Sequence, residues 1–173
     1  MGSEDLRQHI ADVPDFPRKG ILFRDITPLL ASPGALSAAL DELERQAREF
    51  RPDLVAGIES RGFLFGMPLA DRIGTGFIPV RKPGKLPRET LRESYSLEYG
   101  ENTVEMHADA VRPGQRVLVV DDLLATGGTA AAAASLVRRA GGEVAGWLFL
   151  VELAPLRGRE KLAGAPVRSV LVY

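Results

Sequence analysis

The chain has 173 residues, 45% of them hydrophobic, and 22 Lys+Arg against 23 Asp+Glu leave a net charge of −1 at pH 7. That length suits a single domain (residues 1–173) with a core of its own, and the composition excludes a disordered or collagen-like chain. Zero cysteines exclude a disulfide scaffold, a thiol nucleophile and thiolate zinc sites, while the balanced charge argues against a nucleic-acid binder. From the N-terminus, residues 13–30 hold Pro14, Pro17 and Pro28 and read as an irregular cap. Leu36, Leu40, Leu43 and Ala47 then recur at helical spacing, which predicts an amphipathic helix over residues 33–50. Residues 53–58 (DLVAGI) predict a buried strand, and after a polar turn residues 62–70 predict a helix. Residues 81–94 (RKPGKLPRETLRES) predict a long loop of the kind that is either a functional lid or disordered. Residues 116–120 predict a second strand, 129–140 an Ala-rich helix, 144–153 a third strand and 168–173 an edge strand. Continuous apolar runs suit parallel strands covered on both faces, so the expected class is α/β, a doubly wound parallel sheet flanked by helices.

The run VLVVDDLLATGGT, residues 117–129, carries the most chemistry. A helix N-terminus offers unpaired amides and a positive dipole end, so the turn Ala125, Thr126, Gly127, Gly128, Thr129 is suited to cradle a phosphate. The glycines let the backbone close round the anion, and the threonines add hydroxyl donors. Asp121 and Asp122 sit at the carboxyl end of the strand, where open α/β sheets bind ligands. Carboxylates there would repel a bare phosphate, so they fit sugar hydroxyls or a Mg²⁺ that bridges to phosphate. A P-loop, a dinucleotide G-x-G-x-x-G and a G-x-S-x-G elbow are all absent: Gly84-Lys85 is followed by Leu86, and residues 57–62 read GIESRG.

That run resembles the phosphoribosyl-pyrophosphate signature of the type I phosphoribosyltransferases. Further blocks (FP at 16–17, GILFRDITP at 20–28, ESRGFLFG at 59–66, RK at 81–82 with GKLP at 84–87, YSLEYG at 95–100, GREKL at 158–162) are similar to the adenine phosphoribosyltransferases, in the same order and over nearly the whole chain. The resemblance implies the type I fold with a small N-terminal hood (residues 1–32) that binds the base and a mobile lid (residues 81–94). It implies Mg²⁺-dependent transfer of the phosphoribosyl group from phosphoribosyl pyrophosphate to N9 of adenine, giving AMP and pyrophosphate, a purine-salvage reaction of the cytoplasm. It implies a homodimer, with small-molecule substrates as the other partners; the apolar stretch 144–151 is too short to cross a bilayer, and no secretory signal is expected at residues 1–10.

By the same resemblance, Ala125 to Thr129 hold the 5-phosphate, and Asp121 and Asp122 face the ribose and lie near Mg²⁺, which the substrate mainly holds. Ser60 and Arg61 form the pyrophosphate turn, with a non-proline cis peptide expected at Ser60–Arg61. Arg81, Lys82 and above all Lys85 are the lid cations that cover pyrophosphate; Pro83 departs from the family, which often has a basic residue there. Phe23 stacks on adenine while the backbone of Leu22 and Arg24 meets its Watson–Crick edge, although Phe23 alone would read as a core aromatic. Glu98 protonates or orients the purine; by pattern alone it is an outward residue on a strand that turns Tyr95, Leu97 and Tyr99 inward. His9 and His107 have no partner signature and read as structural. The rival readings are a transferase for a 6-oxo purine or xanthine, and a non-catalytic sensor of phosphoribosyl pyrophosphate.

Overall fold

The computed structural model describes residues 3–97 and 100–173. The chain divides into two compact units, Met1–Glu42 and Leu43–Tyr173. The first contains α1 (Ser3–Arg7), β1 (Ala11–Pro14), β2 (Leu22–Asp25), α2 (Thr27–Ala31) and the start of α3 (Pro33–Phe50), through which the boundary runs. The segment expected to be irregular is therefore an antiparallel ribbon, β1 against β2, with Asp12 opposite Arg24 and Val13 opposite Phe23. The prolines concealed it: Pro14 ends β1, where a missing amide costs little, and a cis Phe16–Pro17 bond lies in the connection. Asp25 takes the Thr27 amide at 2.9 Å and its hydroxyl at 2.7 Å, so the chain turns from β2 directly into α2.

The second unit is built on a five-stranded parallel sheet in the order β4-β3-β7-β8-β9. These strands are β3 (Leu54–Ile58), β4 (Gly76–Val80), β7 (Arg116–Leu124), β8 (Glu143–Glu152) and β9 (Val167–Val172). The three runs expected as buried strands are β3, β7 and β8, and the edge position of β9 is as expected. One strand has no counterpart among the expected elements, and another begins earlier than its alternation at Tyr95 and Leu97 predicts. The first is β4, short and interrupted by Pro79; the second is β5 (Thr90–Leu97), which pairs antiparallel with β6 (Gly100–His107) and takes up the last third of the expected lid. Only residues 82–89 of that lid run outside strands, with Arg81 bridged to Glu105.

Alternation along each strand sends side chains to two faces. Ala56, Ile58, Val119, Trp147 and Phe149 join one core cluster with the buried alanines of α5 (Gly128–Arg139). The opposite face receives α4 (Arg61–Ile73), which approaches closely because Gly57 and Gly66 leave room for Phe77; a Cβ on Gly57 would lie 2.5 Å from the Phe77 ring. On that face too, Phe50 at the end of α3 fills the space left by Gly146. From β3 the chain passes through α4 to β4 on one side, and from β7 through α5 to β8 on the other. Adjacent strands that lead away in opposite directions open a crevice at their carboxyl ends, where ligands bind in such sheets.

Candidate active site

The end of β7 and the turns after β3 and β7 border this crevice, and together they contain nine of the sixteen expected site residues. Gly62, one residue into α4, packs against the end of β7; a Cβ there would lie 2.8 Å from Asp121 Oδ1 and 3.0 Å from the Val120 carbonyl. This approach brings Arg61 across the crevice, where its Nε lies 2.9 Å from Asp122 Oδ2. Asp122 is 4% exposed, and its amide donates to Asp121 Oδ1 at 2.9 Å. Burial pushes both carboxyls above the usual carboxylate range, Asp121 furthest because the Asp122 charge adds to the effect, while Arg61 pulls Asp122 back down. Ser60 is exposed beside Arg61. The non-proline cis peptide lies at Glu59–Ser60, one residue before the expected Ser60–Arg61 bond.

Beyond Asp121 and Asp122, residues Ala125 to Thr129 wrap a small cup of about 70 Å³ that also touches Asp121. Gly127 has φ +79° and precedes α5, whose first turn has no side-chain cap, so the cup ends on open helix amides. A second cavity, of about 370 Å³, is lined by Glu59, Lys82, Pro83, Tyr95, Thr129 and the 101–104 part of β6. Thr129 borders both spaces.

The loop cations are not equivalent. Arg81 Nε lies 3.0 Å from Glu59 Oε2, and its Nη1 donates to the Lys85 carbonyl at 3.3 Å. Burial works against charge on Glu59, but the Lys82 amide at 3.1 Å and the Arg81 guanidinium outweigh it and hold the carboxyl below its usual range. Arg88 pairs with Asp109, and Arg92 Nε lies 2.6 Å from buried Glu105, which also takes the Gly84 amide at 3.1 Å. Among the described residues, no ion pair holds the ammonium of Lys82 or Lys85, although the Lys85 charge helps to keep the Glu59 carboxyl low, so both cations can still meet an anion.

Two side chains absent from the sequence expectations join the site in space. Glu59 orders the loop through Arg81 and Lys82, and Tyr95 accepts a hydrogen bond from the Thr129 hydroxyl at 2.9 Å with its ring against Gly128. The sequence signals for Tyr95 were its inward place on an alternating strand and its position at the head of the YSLEYG block, neither of which gave it a role. Glu98 lies outside the described residues. Leu22, Phe23 and Arg24 form β2 in the first unit: Leu22 is exposed, Phe23 meets Phe16 edge-to-face at 5.1 Å, and Arg24 pairs with Asp12. Among the described residues β2 has β1 as its one strand partner, so its other edge keeps backbone groups for something other than a strand. No three His, Cys, Asp or Glu side chains cluster to hold a metal among the described residues, and no helix there is long and apolar enough to cross a membrane.

A parallel sheet with an acidic pair and an anion cup at its switch point defines a class, and the model of the phosphoribosyl transferase domain matches residues 29–167. Adenine phosphoribosyltransferase from Thermobifida fusca is 58% identical over 163 residues, which cover 94% of this chain and 93% of that protein. The crystal structure of adenine phosphoribosyltransferase from Thermoanaerobacter pseudethanolicus superposes with a TM-score of 0.96 at 51% identity, covering 99% of both chains. That of the Saccharomyces cerevisiae enzyme, in complex with an imino-altritol bisphosphate and adenine, gives 0.91 at 42% identity over 98% of both chains. The chain belongs to the adenine phosphoribosyltransferase family within the phosphoribosyl transferase domain class.

Proposed function

We propose that this chain transfers the phosphoribosyl group of phosphoribosyl pyrophosphate to N9 of adenine using the crevice between β3 and β7. The observation that carries the reading is the acidic pair followed within a few residues by a phosphate-sized cup, with a cation facing the pair. Ala125 to Thr129 hold the 5-phosphate through amides and hydroxyls. Asp121 and Asp122 face the ribose hydroxyls, and their charge steadies C1 as it becomes electron-poor. Ser60 and Arg61 take the pyrophosphate, and Lys82 and Lys85 cover it. Arg81 holds the loop to Glu59, and its remaining donors face the same anion. Leu22, Phe23 and Arg24 bind adenine, as the relative crystallised with adenine and a bisphosphate supports for the substrate classes.

In the reaction, the bond from C1 to the pyrophosphate oxygen breaks, and the electron pair leaves with pyrophosphate. The N9 lone pair of adenine forms the new bond at C1, and the N9 proton is lost. Glu98 orients the purine for this attack or holds that proton. The two carboxylates suit a Mg²⁺ that arrives on substrate oxygens, since they are too few to bind one alone, and the ion would neutralise charge on pyrophosphate. No covalent nucleophile is needed; positioning under a closed loop and charge placed along the leaving group lower the barrier. The whole chain acts as one catalytic domain, with residues 1–32 as the base-binding hood and 81–94 as the lid. It works in the cytoplasm as a homodimer, for which exposed Leu64 and Met67, one turn apart on α4, offer an apolar contact.

The direct test supplies phosphoribosyl pyrophosphate, Mg²⁺ and each purine base in turn. AMP and pyrophosphate should form with adenine; turnover with guanine or hypoxanthine in its place overturns the base assignment, and no product with any base overturns the reaction. A second experiment separates the loop cations. Lys85→Ala should lower kcat by about ten- to a hundredfold, because it removes a loop cation assigned to the charge that develops on pyrophosphate. Arg88→Ala should stay within about twofold of the parent, its charge being paired at the exposed surface. Equal losses in the two variants would reject this division.

A further inference from the structure

The GREKL block, residues 158–162, has no part in the reaction described so far, yet it touches the phosphate cup directly. It forms the second of two short 3₁₀ turns that follow β8, Ala154–Leu156 and Gly158–Lys161. Residues 154–157 are exposed, whereas Gly158 is buried with its backbone against the cup. A Cβ on Gly158 would lie 2.3 Å from the Ala125 carbonyl oxygen and 2.8 Å from Leu124 Cδ1. A Cβ on Gly127 would lie 2.4 Å from the Gly158 carbonyl oxygen. The back wall of the cup is thus bare backbone on bare backbone, so any shift of Gly158 moves Ala125 and Gly127 with it.

The next residue, Arg159, fixes that wall. Its Nε and Nη2 donate to the two oxygens of Glu152, each at 2.6 Å, and its Nη1 donates to the Val167 carbonyl at 2.8 Å. The Ser169 hydroxyl donates to Glu152 Oε2, also at 2.6 Å. Glu152 is 5% exposed at the end of β8, next to the strand that ends in the cup. Stability alone gives no strong reason for a carboxylate there, because well-packed apolar residues stabilise a core as well or better than a buried ion pair. A two-pronged guanidinium–carboxylate pair does supply one fixed distance and angle, which an apolar contact does not.

We infer that Glu152 and Arg159 are positioning residues for the substrate 5-phosphate: their ion pair clamps Gly158 against Ala125 and Gly127 and so sets the shape of the cup. This rests on the assignment of residues 125–129 to the 5-phosphate. Gly158→Ala leaves the pair intact and displaces the wall, while Arg159→Lys keeps the charge and removes the fork. The experiment measures KM for phosphoribosyl pyrophosphate and the inhibition constants of ribose 5-phosphate and of pyrophosphate, which probe the two ends of one site. In each variant KM and the ribose 5-phosphate constant should rise about ten- to a hundredfold, the effect of a misplacement near 1 Å, with the pyrophosphate constant unchanged. A parallel rise in the pyrophosphate constant means general loosening and overturns the inference, as does no change in any of the three; each variant that folds carries the test alone. Thr129→Ala separates the two assignments. If it leaves ribose 5-phosphate inhibition unchanged, the cup assignment fails and the clamp with it. If it weakens that inhibition while the Gly158 and Arg159 variants do not, the cup stands and the clamp is overturned.

Discussion

Asp121→Asn should unfold at a higher temperature than the parent in alkali while losing about 10²–10³-fold in kcat/KM. Burial, and then the charge of Asp122, raise the Asp121 carboxyl well above its ordinary range. A group that binds its proton more tightly in the folded than in the unfolded chain stabilises the fold fully at low pH. That stabilisation is lost as the pH rises through the folded value. At alkaline pH the parent therefore holds two crowded carboxylates that share the charge of Arg61, which lies in ion-pair contact with Asp122. The amide removes one charge and keeps an oxygen for the Asp122 N–H, so the fold gains. Catalysis loses, because the neutral side chain no longer opposes the positive charge that develops at C1. Thermal melts over a pH series test this: the gap in Tm should be widest in alkali and close in acid, where Asp121 is itself neutral. A gap that stays constant with pH, or a variant less stable in alkali, would falsify the account.

The phosphate end of the site could be read from the sequence because its parts are contiguous. The apolar run of β7, the acidic pair and the small-residue turn stand side by side in thirteen residues, and each is intelligible from local chemistry. The pyrophosphate end was legible only as a set of cations. Which of them are free depends on carboxylates far away along the chain: Glu59 for Arg81, Glu105 for Arg92, Asp109 for Arg88. No spacing rule links such residues: the pairing of β3 with β4 brings Glu59 to Arg81, and the β5–β6 hairpin brings together the other two pairs. The end of the hairpin's first strand showed in the alternation of Tyr95, Leu97 and Tyr99, but its start was hidden, because Glu93 holds an inward position that a strand pattern reserves for apolar residues. In the structure Arg139 of α5 meets Glu93 at 2.9 Å, which reconciles the charge with its place. The same limit applies to β4, where Pro79 breaks the strand pattern although the strand is held at the sheet edge by pairing with β3.

Asp121 and Glu152 are both carboxylates at the carboxyl ends of neighbouring strands, yet they should respond to pH with opposite sign. Glu152 is held below its usual range, chiefly by the hydrogen bonds of Arg159 and further by that of Ser169, against the cost of burial. Its contribution is therefore present above the ordinary carboxylate range and lost as the pH falls through the folded value. At neutral pH, Glu152→Ala should cost about 3 kcal/mol, the lower end of the loss when one partner of a buried pair is removed. The lower end applies because the Arg159 side chain is 46% exposed, so its stranded guanidinium can reach water. The Ser169 hydroxyl and the Val167 carbonyl also keep access to other partners near the surface. Urea titrations at neutral and acid pH provide the measurement. The parent–variant difference should shrink as the pH drops, mirroring Asp121→Asn, in which removing a carboxyl helps the fold and helps it least in acid. A difference that grows in acid, or a variant as stable as the parent at neutral pH, would mean that Glu152 is held by packing rather than by Arg159.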